Sequence, residues 1–334
     1  MNDVTTVGID LAKSVFSLHG VDARGAVVLR KTVSRAKLAE VVAQLPPCLI
    51  GMEGCSGAHE WARRFGELGH TVKLMAAQFV AAYRKGGKND GNDAEAICEA
   101  VSRPSMRFVP VKSREQQAQL CVHRVRTGFV QERTAIVNRL RGLLAEFGHV
   151  MPLSVIQLQR AMPRLLEALP SVVAQIARDL LEHVRVLEGR ILEYGRQIEA
   201  HVRSSELAQR AQAQKGVGPI TASAIVASIG DGREFKNGRQ FAAWLGLVPR
   251  QHSTGGKARL GQITRRGDGY LRTLLVLGAR AVLRRAPRER DPLSRWAQAL
   301  RERRGYHRAC VAIAAKNARR VWAALAGRTP LTAE

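Results

Sequence analysis

Residues 4–33 read VTTVGIDLAKSVFSLHGVDARGAVVLRKTV, and this stretch decides the fold of the first part of the chain. It holds three runs rich in β-branched and aromatic residues, at 4–11, 14–20 and 26–33, and short turn-forming segments separate them. Runs of this length and composition, bounded by such turns, predict three consecutive strands.

The next forty residues alternate between helix and strand patterns. Residues 35–45 and 58–68 have helical periodicity, while 48–52 and 71–75 are short apolar runs typical of buried strands. Three strands followed by helix, strand, helix and strand fit the ribonuclease-H-like layout, a mixed sheet with helices on its faces. Periodicity alone does not separate this layout from other α/β folds.

From residue 113 onward the strand patterns fade and the chain becomes mostly helical. Apolar residues recur in steps of three and four along residues 172–202, which predicts a helical hairpin or a coiled coil between subunits. We therefore expect three domains: an α/β domain at 1–112, a helical linker at 113–208 and a mostly helical domain at 209–334, with loops at 231–238 and 250–261. The residues of the heptad-like seam are Val173, Ile176, Leu180, Val184, Leu187, Ile191, Tyr194, Ile198 and Val202.

The chain is strongly basic. Its 334 residues carry a formal net charge of +25, and the segment from 251 to the end holds 19 Lys and Arg against 5 Asp and Glu. This excess favours a polyanion partner, above all nucleic acid, over a ribosome-associated or membrane-surface protein. The five cysteines form no CxxC pair and no apolar run is long enough for a membrane span, so we expect a cytoplasmic protein without a structural zinc site.

Four carboxylates in the first third of the chain have the spacing of a metal site. Asp10 and Glu53 each follow an apolar strand run, and Asp90 and Asp93 lie three residues apart at the start of a helical segment. Carboxylate oxygens around two cations are the ligands that phosphodiester chemistry uses, with Mg²⁺ or Mn²⁺. Taken singly, Asp90 is best explained as a helix N-cap and Asp93 as a first-turn acid, and Glu53 can be a surface acid before a glycine turn.

Two glycine-containing segments in the last third are candidates for contact with phosphate. Gly216 and Gly218 resemble the turn of a helix-hairpin-helix element, although an ordinary helix connection also explains them. Residues 246–257, GLVPRQHSTGGK, place Ser253 and Thr254 before two glycines in a basic loop. A serine there can attack phosphorus, or else both hydroxyls only bind phosphate or cap a turn. The predicted nucleic-acid-binding residues are Gly216, Gly218, Arg250, Lys257, Arg265, Arg266 and Arg272.

Together these motifs, in this order and over nearly the whole chain, resemble the DEDD-type transposases of the insertion-sequence 110 (IS110) family. That family includes the Piv-type DNA invertases, and the spelling of the serine loop is most similar to its 1111 branch. The motifs that carry the resemblance are GIDLAK at 8–13, MEGCSG at 52–57, KNDGNDA at 88–94, GVGPITA at 216–222 and GLVPR at 246–250.

The resemblance implies a RuvC-like domain with Asp10, Glu53, Asp90 and Asp93 as metal ligands, and a transposase domain whose catalytic serine falls on Ser253, with Thr254 one residue away. It implies recombination of donor and target DNA through a covalent serine–DNA intermediate, guidance by a noncoding bridge RNA, and a homo-oligomer, dimer or tetramer, in which the acids of one subunit act with Ser253 of another. A site-specific invertase, a metal-dependent junction nuclease without RNA guidance and a non-catalytic nucleic-acid-binding protein are the competing hypotheses.

Overall fold

The computed structural model describes residues 3–87 and 89–327, and Lys88 of the KNDGNDA motif lies outside them, as does the end of the predicted third domain. The chain forms two compact units, Met1–Ser113 and Arg114–Glu334, which are described separately. The first is a mixed α/β unit and the second is mostly helical, as the sequence predicts. None of the described helices is long and apolar enough to cross a membrane.

The N-terminal unit consists of one sheet and four α-helices among its described residues. Its elements are β1 (Thr6–Leu11), β2 (Val15–Val21), β3 (Val27–Ser34), α1 (Leu38–Ala43), β4 (Leu49–Glu53), α2 (Ala58–Glu67), β5 (Thr71–Met75), α3 (Ala77–Val80), α4 (Asp90–Val101) and β6 (Phe108–Val109). The predicted strands and helices are confirmed within a few residues. The helix predicted at 35–45 is shorter in the structure, where it spans only Leu38–Ala43.

The strand order of the sheet is β3-β2-β1-β4-β5-β6. The first three strands pair antiparallel in hairpin sequence, whereas β4 and β5 each join by a parallel crossover. Two consecutive hairpin pairings followed by helix-linked parallel strands give the mixed sheet expected from the sequence, consistent with a ribonuclease-H-like domain. The parallel pairing of β1 with β4 brings two predicted acids to the same edge of the sheet.

Helix α4 lies directly on β1 and β4 at two glycines. A Cβ on Gly8 would lie 2.8 Å from the Cα of Cys98 and closer still to the carbonyl oxygen of Ala94, and a Cβ on Gly51 would lie 2.7 Å from the Cβ of Val101. Backbone can approach a strand this closely only where no side chain intervenes. The two glycines therefore fix the height of α4 above the sheet.

The C-terminal unit contains nine α-helices and a two-stranded hairpin among its described residues. They are α5 (Arg114–Glu146), α6 (Val155–Ala168), α7 (Ser171–Ser204), α8 (Glu206–Gln212), α9 (Pro219–Ile229), α10 (Gly238–Trp244), β7 (Pro249–Gln251), β8 (Leu260–Ile263), α11 (Gly269–Arg285), α12 (Pro292–Arg304) and α13 (Tyr306–Leu325). The segment 250–261 is thus a β-hairpin and not the loop that the sequence predicts. Its paired Gly255-Gly256, which favours a two-residue hairpin turn, is the overlooked signal.

Two separate clusters of buried apolar residues hold this unit together. One joins α5, α6 and α7 over residues 136–187, and the other joins α8 to α13 over residues 202–325. Helix α7 packs along α5 of the same chain, where Val184 and Leu187 of its seam are buried beside Leu140 and Leu144. An intersubunit coiled coil stays a prediction, as do the domain boundaries at 112 and 208.

Candidate active site

Asp10 and Glu53 occupy equivalent positions at the ends of two neighbouring parallel strands. Ile9 pairs with Met52, so the following residue on each strand is one of the two acids. Side chains alternate between the faces of a sheet, and therefore both acids share a face with Gly8 and Gly51, two residues earlier. That is the face on which α4 packs.

The thiol of Cys55 lies close enough to both acids to be affected by their charge. Partial desolvation raises the pKa of Cys55, and the negative charges of Glu53 and then Asp10 raise it further. This effect agrees with the strand register, which sets the two carboxylates at adjacent strand ends.

Asp90 and Asp93 lie in the first turn of α4, but Asn89 and not Asp90 caps the helix. The side-chain oxygen of Asn89 accepts a hydrogen bond of 2.8 Å from the backbone N–H of Asn92. The cap explanation for Asp90 is therefore wrong, because the Asn side chain one residue earlier fulfils that role and leaves Asp90 exposed. Both acids still lie at the helix N-terminus, where the helix dipole favours negative charge.

The two acids of α4 have different surroundings. The Nη1 of Arg84 donates a hydrogen bond of 3.2 Å to the Oδ1 of Asp93, so the two side chains form an ion pair. Asp90 lines a cavity of about 580 Å³ whose other walls include His19 of β2 and Arg30 of β3. Burial lowers the pKa of His19, and the charges of Glu95, Arg30 and Lys85 modify it. Sequence patterns did not single out Arg84, because its role depends on a contact nine residues along the chain.

No three Asp, Glu, His or Cys side chains converge on a single metal position within residues 3–87 and 89–327. The structure brings Asp10 and Glu53 to adjacent strand ends and sets α4, which carries the other two acids, on the same face. The chemistry of this donor set, carboxylate oxygen throughout, fits a hard divalent cation such as Mg²⁺ or Mn²⁺. Arg84 already neutralises Asp93, so a cation there would compete with the guanidinium.

Ser253 and Thr254 lie at the tip of the β7–β8 hairpin. Both glycines of the turn have positive φ, 56° for Gly255 and 75° for Gly256, and Thr254 pairs with Lys257 across them. Positive φ at both central residues defines a type I′ turn, whose twist matches that of the two strands. Ser253 is exposed, and its Oγ accepts a 2.8 Å hydrogen bond from the side chain of Gln251.

Close backbone contacts fix the base of this hairpin. Gly246 and Gly267 both have positive φ, and a Cβ on either would collide with backbone, that of Arg266 and Trp244 respectively. The Nη1 of Arg272 donates to the carbonyl oxygen of Leu245 at 3.0 Å and, more weakly, to that of Arg266. Arg272 therefore holds the ends of the hairpin together, and its contact with nucleic acid stays a prediction.

The other predicted nucleic-acid contacts have varied positions. Gly218 is exposed at the N-terminus of α9, but Gly216 packs tightly against α11 and α13, with Val282 and Asn317 in the space of its missing Cβ. The exposed cations around the hairpin include the predicted Arg250, Lys257, Arg265 and Arg266, and also Arg259. Arg265 has a φ of 54°, a strained value for a residue other than glycine, next to the pinned base.

An acidic edge on a mixed sheet in one unit, and an exposed hydroxyl among cations in the other, are compatible with an enzyme that rearranges nucleic-acid backbones. A family model described as a transposase, of the IS110 DEDD type, matches residues 7–149, and one described as the transposase IS116/IS110/IS902 family matches residues 208–294.

Full-length relatives agree with both family models. The chain is 53% identical over 332 residues to a "Probable family 20 transposase" of Pseudomonas aeruginosa, with 98% of each chain covered. It is 43% identical to the transposase for insertion sequence element IS1111A of Coxiella burnetii, covering 97% of this chain and 90% of the other, and 42% identical to the IS1328 transposase of Yersinia enterocolitica, covering 96% and 97%. The chain belongs to the IS110 family of transposases, enzymes that cleave DNA, transfer strands and depend on a divalent metal.

Proposed function

We propose that this transposase exchanges DNA strands by using Ser253 as a nucleophile together with the carboxylates at the edge of the N-terminal sheet. The observation that carries the proposal is the placement of Ser253, exposed at the tip of a hairpin that has a defined turn and a base held by close contacts. A nucleophile that attacks a duplex must project from the protein and still be held in one orientation. The I′ turn and the pinned base meet both requirements.

Asp10, Glu53, Asp90 and Asp93 are the residues that would hold the divalent cation. Their oxygen-only donor set is the argument for Mg²⁺ or Mn²⁺. A bound cation supplies Lewis-acid stabilisation of the charge that develops on phosphate oxygens. The protein itself orients two of these acids by strand register and the other two by the first turn of α4.

Ser253 Oγ forms a bond to phosphorus while the bond from phosphorus to a sugar oxygen breaks. The hydroxyl gives up its proton, and the departing sugar oxygen takes one up, so the strand end is held as a phosphoserine ester. Attack on that ester by the sugar hydroxyl of another strand releases Ser253 and joins the new strand. Arg250 and Lys257 would stabilise the negative charge at phosphorus, and their exposure on the same hairpin supports this role.

The acids and the serine lie in different units of the chain, so a composite site is part of the proposal. Carboxylates of one subunit act with Ser253 of another, which requires at least a dimer. The strongly basic surface accommodates donor and target DNA, and a noncoding bridge RNA whose pairing supplies sequence choice is the guide we propose. Gly218, Arg265 and Arg266 are the proposed backbone contacts, because all three are exposed on this unit.

A covalent adduct separates this mechanism from a junction nuclease that uses metal and water alone. The full-length protein is incubated with labelled DNA carrying the element's junction and with Mg²⁺, and then extracted with phenol. We expect labelled DNA to remain bound to the wild-type protein and to Thr254→Ala, and to be absent with Ser253→Ala. Adduct formation by Ser253→Ala at the wild-type level would refute the nucleophile assignment, and loss only in Thr254→Ala would move it by one residue.

A further inference from the structure

A groove lies between α11, α12 and α13, along the C-terminal half of α11, the helix that follows the serine hairpin. It encloses about 600 Å³, within the usual range of about 300–1,000 Å³ for sites that take a compact organic group. Its lining consists of Leu277, Arg280, Ala281, Leu283, Arg284, Arg285, Arg301 and Tyr306. We call this the arginine groove.

The floor of the arginine groove is apolar and open to solvent. Leu277 is 51% exposed on α11, and Ala281 lies one turn further along the same face. At the rim, Tyr306 is 39% exposed and makes an edge contact with the ring of His307, with centroids 5.5 Å apart. Because Leu277 and Tyr306 line the same opening, they form one apolar surface that a ligand can cover.

The walls of the groove carry an unusual concentration of positive charge. Arg280, Arg284, Arg285 and Arg301 are all exposed, and within the described part of the chain none of their side chains has an ion pair or hydrogen bond. Four uncompensated guanidinium groups around one cavity repel one another, and this repulsion is relieved by an anion. Arginine suits phosphate oxygens, to which it donates two parallel hydrogen bonds.

The apolar floor, the aromatic rim and the cationic walls together fit one chemical class of ligand, a flat ring system that carries phosphate. Intact duplex presents phosphates and groove edges, and it keeps its base faces stacked inside, so it has nothing with which to cover Leu277 and Tyr306. An unpaired nucleotide offers a flat base for the ring and the floor, and its flanking phosphates reach the arginines.

We infer that the arginine groove binds an unpaired nucleotide of a single strand, with the base against Tyr306 and the adjoining phosphates on Arg280, Arg284 and Arg301. The site is separate from the strand-exchange chemistry proposed above and uses neither Ser253 nor a metal ion. Its ligand is a splayed-out nucleotide, whether of an opened DNA strand or of an RNA loop. The groove would hold a strand in place while the reaction proceeds elsewhere.

Binding is measured with the full-length protein in EDTA, so that no strand chemistry takes place. The probe is a 12-nucleotide strand that contains 2-aminopurine, whose fluorescence falls when the base stacks, and it is prepared as DNA, as RNA and as DNA duplex. We expect Tyr306→Ala to weaken binding of the single strand about tenfold and to abolish the quenching, whereas Tyr306→Phe retains both. Affinity for the duplex should be unchanged in either variant.

A charge control exists on the same helix as Arg301. Arg295→Ala removes an equal charge from an exposed position of α12 outside the groove, and it should leave quenching and affinity as in the wild type. Arg301→Ala should weaken binding of single strands and reduce the salt dependence by about 0.7 in the log–log slope, as expected for one lost phosphate contact. The tighter of the DNA and RNA probes identifies the source of the strand.

Three results would overturn the inference. They are unchanged quenching in Tyr306→Ala, an equal loss of duplex affinity, and equal effects of Arg295→Ala and Arg301→Ala. Because the assay contains no metal and needs no cleavage, its failure leaves the proposed serine chemistry untouched, and failure of the adduct experiment leaves this site untouched. Thermal melting of each variant confirms that the fold is intact.

Discussion

Replacing Gly8 by alanine tests whether the height of α4 above the sheet positions the acidic site. The new Cβ would lie 2.8 Å from the Cα of Cys98, and closer to the carbonyl oxygen of Ala94. Ordinary carbon contacts are about 3.5–4.0 Å, so α4 has to move away by roughly 1 Å. The neighbouring atoms are backbone and cannot rotate aside.

The expected costs follow from that displacement. Overpacking of this kind destabilises a domain by about 1–3 kcal/mol, which corresponds to a melting temperature lower by about 4–8 °C for each kcal/mol in a unit of roughly 100 residues. A shift of about 1 Å in Asp93 relative to Asp10 should lower Mg²⁺-dependent DNA cleavage about 100-fold. Thermal melting and single-turnover cleavage of labelled junction DNA measure the two effects.

Gly66→Ala is the matched control, because Gly66 lies in α2 of the same unit and no atom lies within 4 Å of its added Cβ. An alanine there should leave cleavage unchanged and raise stability by up to about 1 kcal/mol, as helix propensity predicts. Wild-type cleavage by a stably folded Gly8→Ala protein would refute the argument that the spacing of α4 controls the site.

Three further results are expected. Burial, with the charges of His201 and Arg126, lowers the pKa of His123 to about 4. In the unfolded state this imidazole has its ordinary pKa of about 6.5, so on acidification it is protonated there before it is protonated in the folded state. The free energy of unfolding should therefore fall by about 3 kcal/mol as the pH drops from 6.5 to 4. Urea unfolding across this range should show that slope, and His123→Gln should flatten it; equal slopes would contradict the assignment. Gly256→Ala places a Cβ at a φ of 75°, and it should lower the free energy of unfolding by about 1–2 kcal/mol and abolish most of the adduct formation. Gly142→Ala in α5, where a Cβ has open space, should change neither quantity. Full adduct formation by Gly256→Ala would contradict the role of the turn. Arg84→Met removes the ion pair that competes for Asp93 and should lower the half-saturating Mg²⁺ concentration by up to about fivefold, and a higher value in a Mg²⁺ titration would contradict that competition.

The strands of the sheet were predictable because the residue pattern that specifies each strand lies within that strand and the turns beside it. Each of the first five strands is a short run of β-branched or apolar residues bounded by turns, and strand ends carry Asp10 and Glu53 to one edge once the order of the strands is known. The position of Asp90 and Asp93 at the start of a helix was likewise predictable from the neighbouring residues. The capping role was not, because Asn89 and Asp90 are both good capping residues and only the backbone conformation distinguishes them.

The parts that sequence patterns missed depend on contacts between distant segments. Arg84 pairs with Asp93 across a turn, and Arg272 reaches back to Leu245 over 27 residues, so neither has a signature of its own. The serine hairpin was missed for a different reason, since its strands are short and exposed and lack the apolar alternation that predicts strands. The buried network in which Ser223 bonds His123 and His201 likewise joins three helices from separate parts of the chain.

The central claim is that the acids and the serine act together from different subunits, and mixed oligomers test it most directly. Asp10→Ala and Ser253→Ala proteins carrying different tags are co-expressed, purified through both tags, and incubated with labelled junction DNA and Mg²⁺. Neither variant alone should form a phenol-stable adduct, whereas the mixed oligomer should form one on the Asp10→Ala chain, whose serine is intact. A mixed oligomer that forms no adduct, although the wild-type protein does, would contradict the composite site.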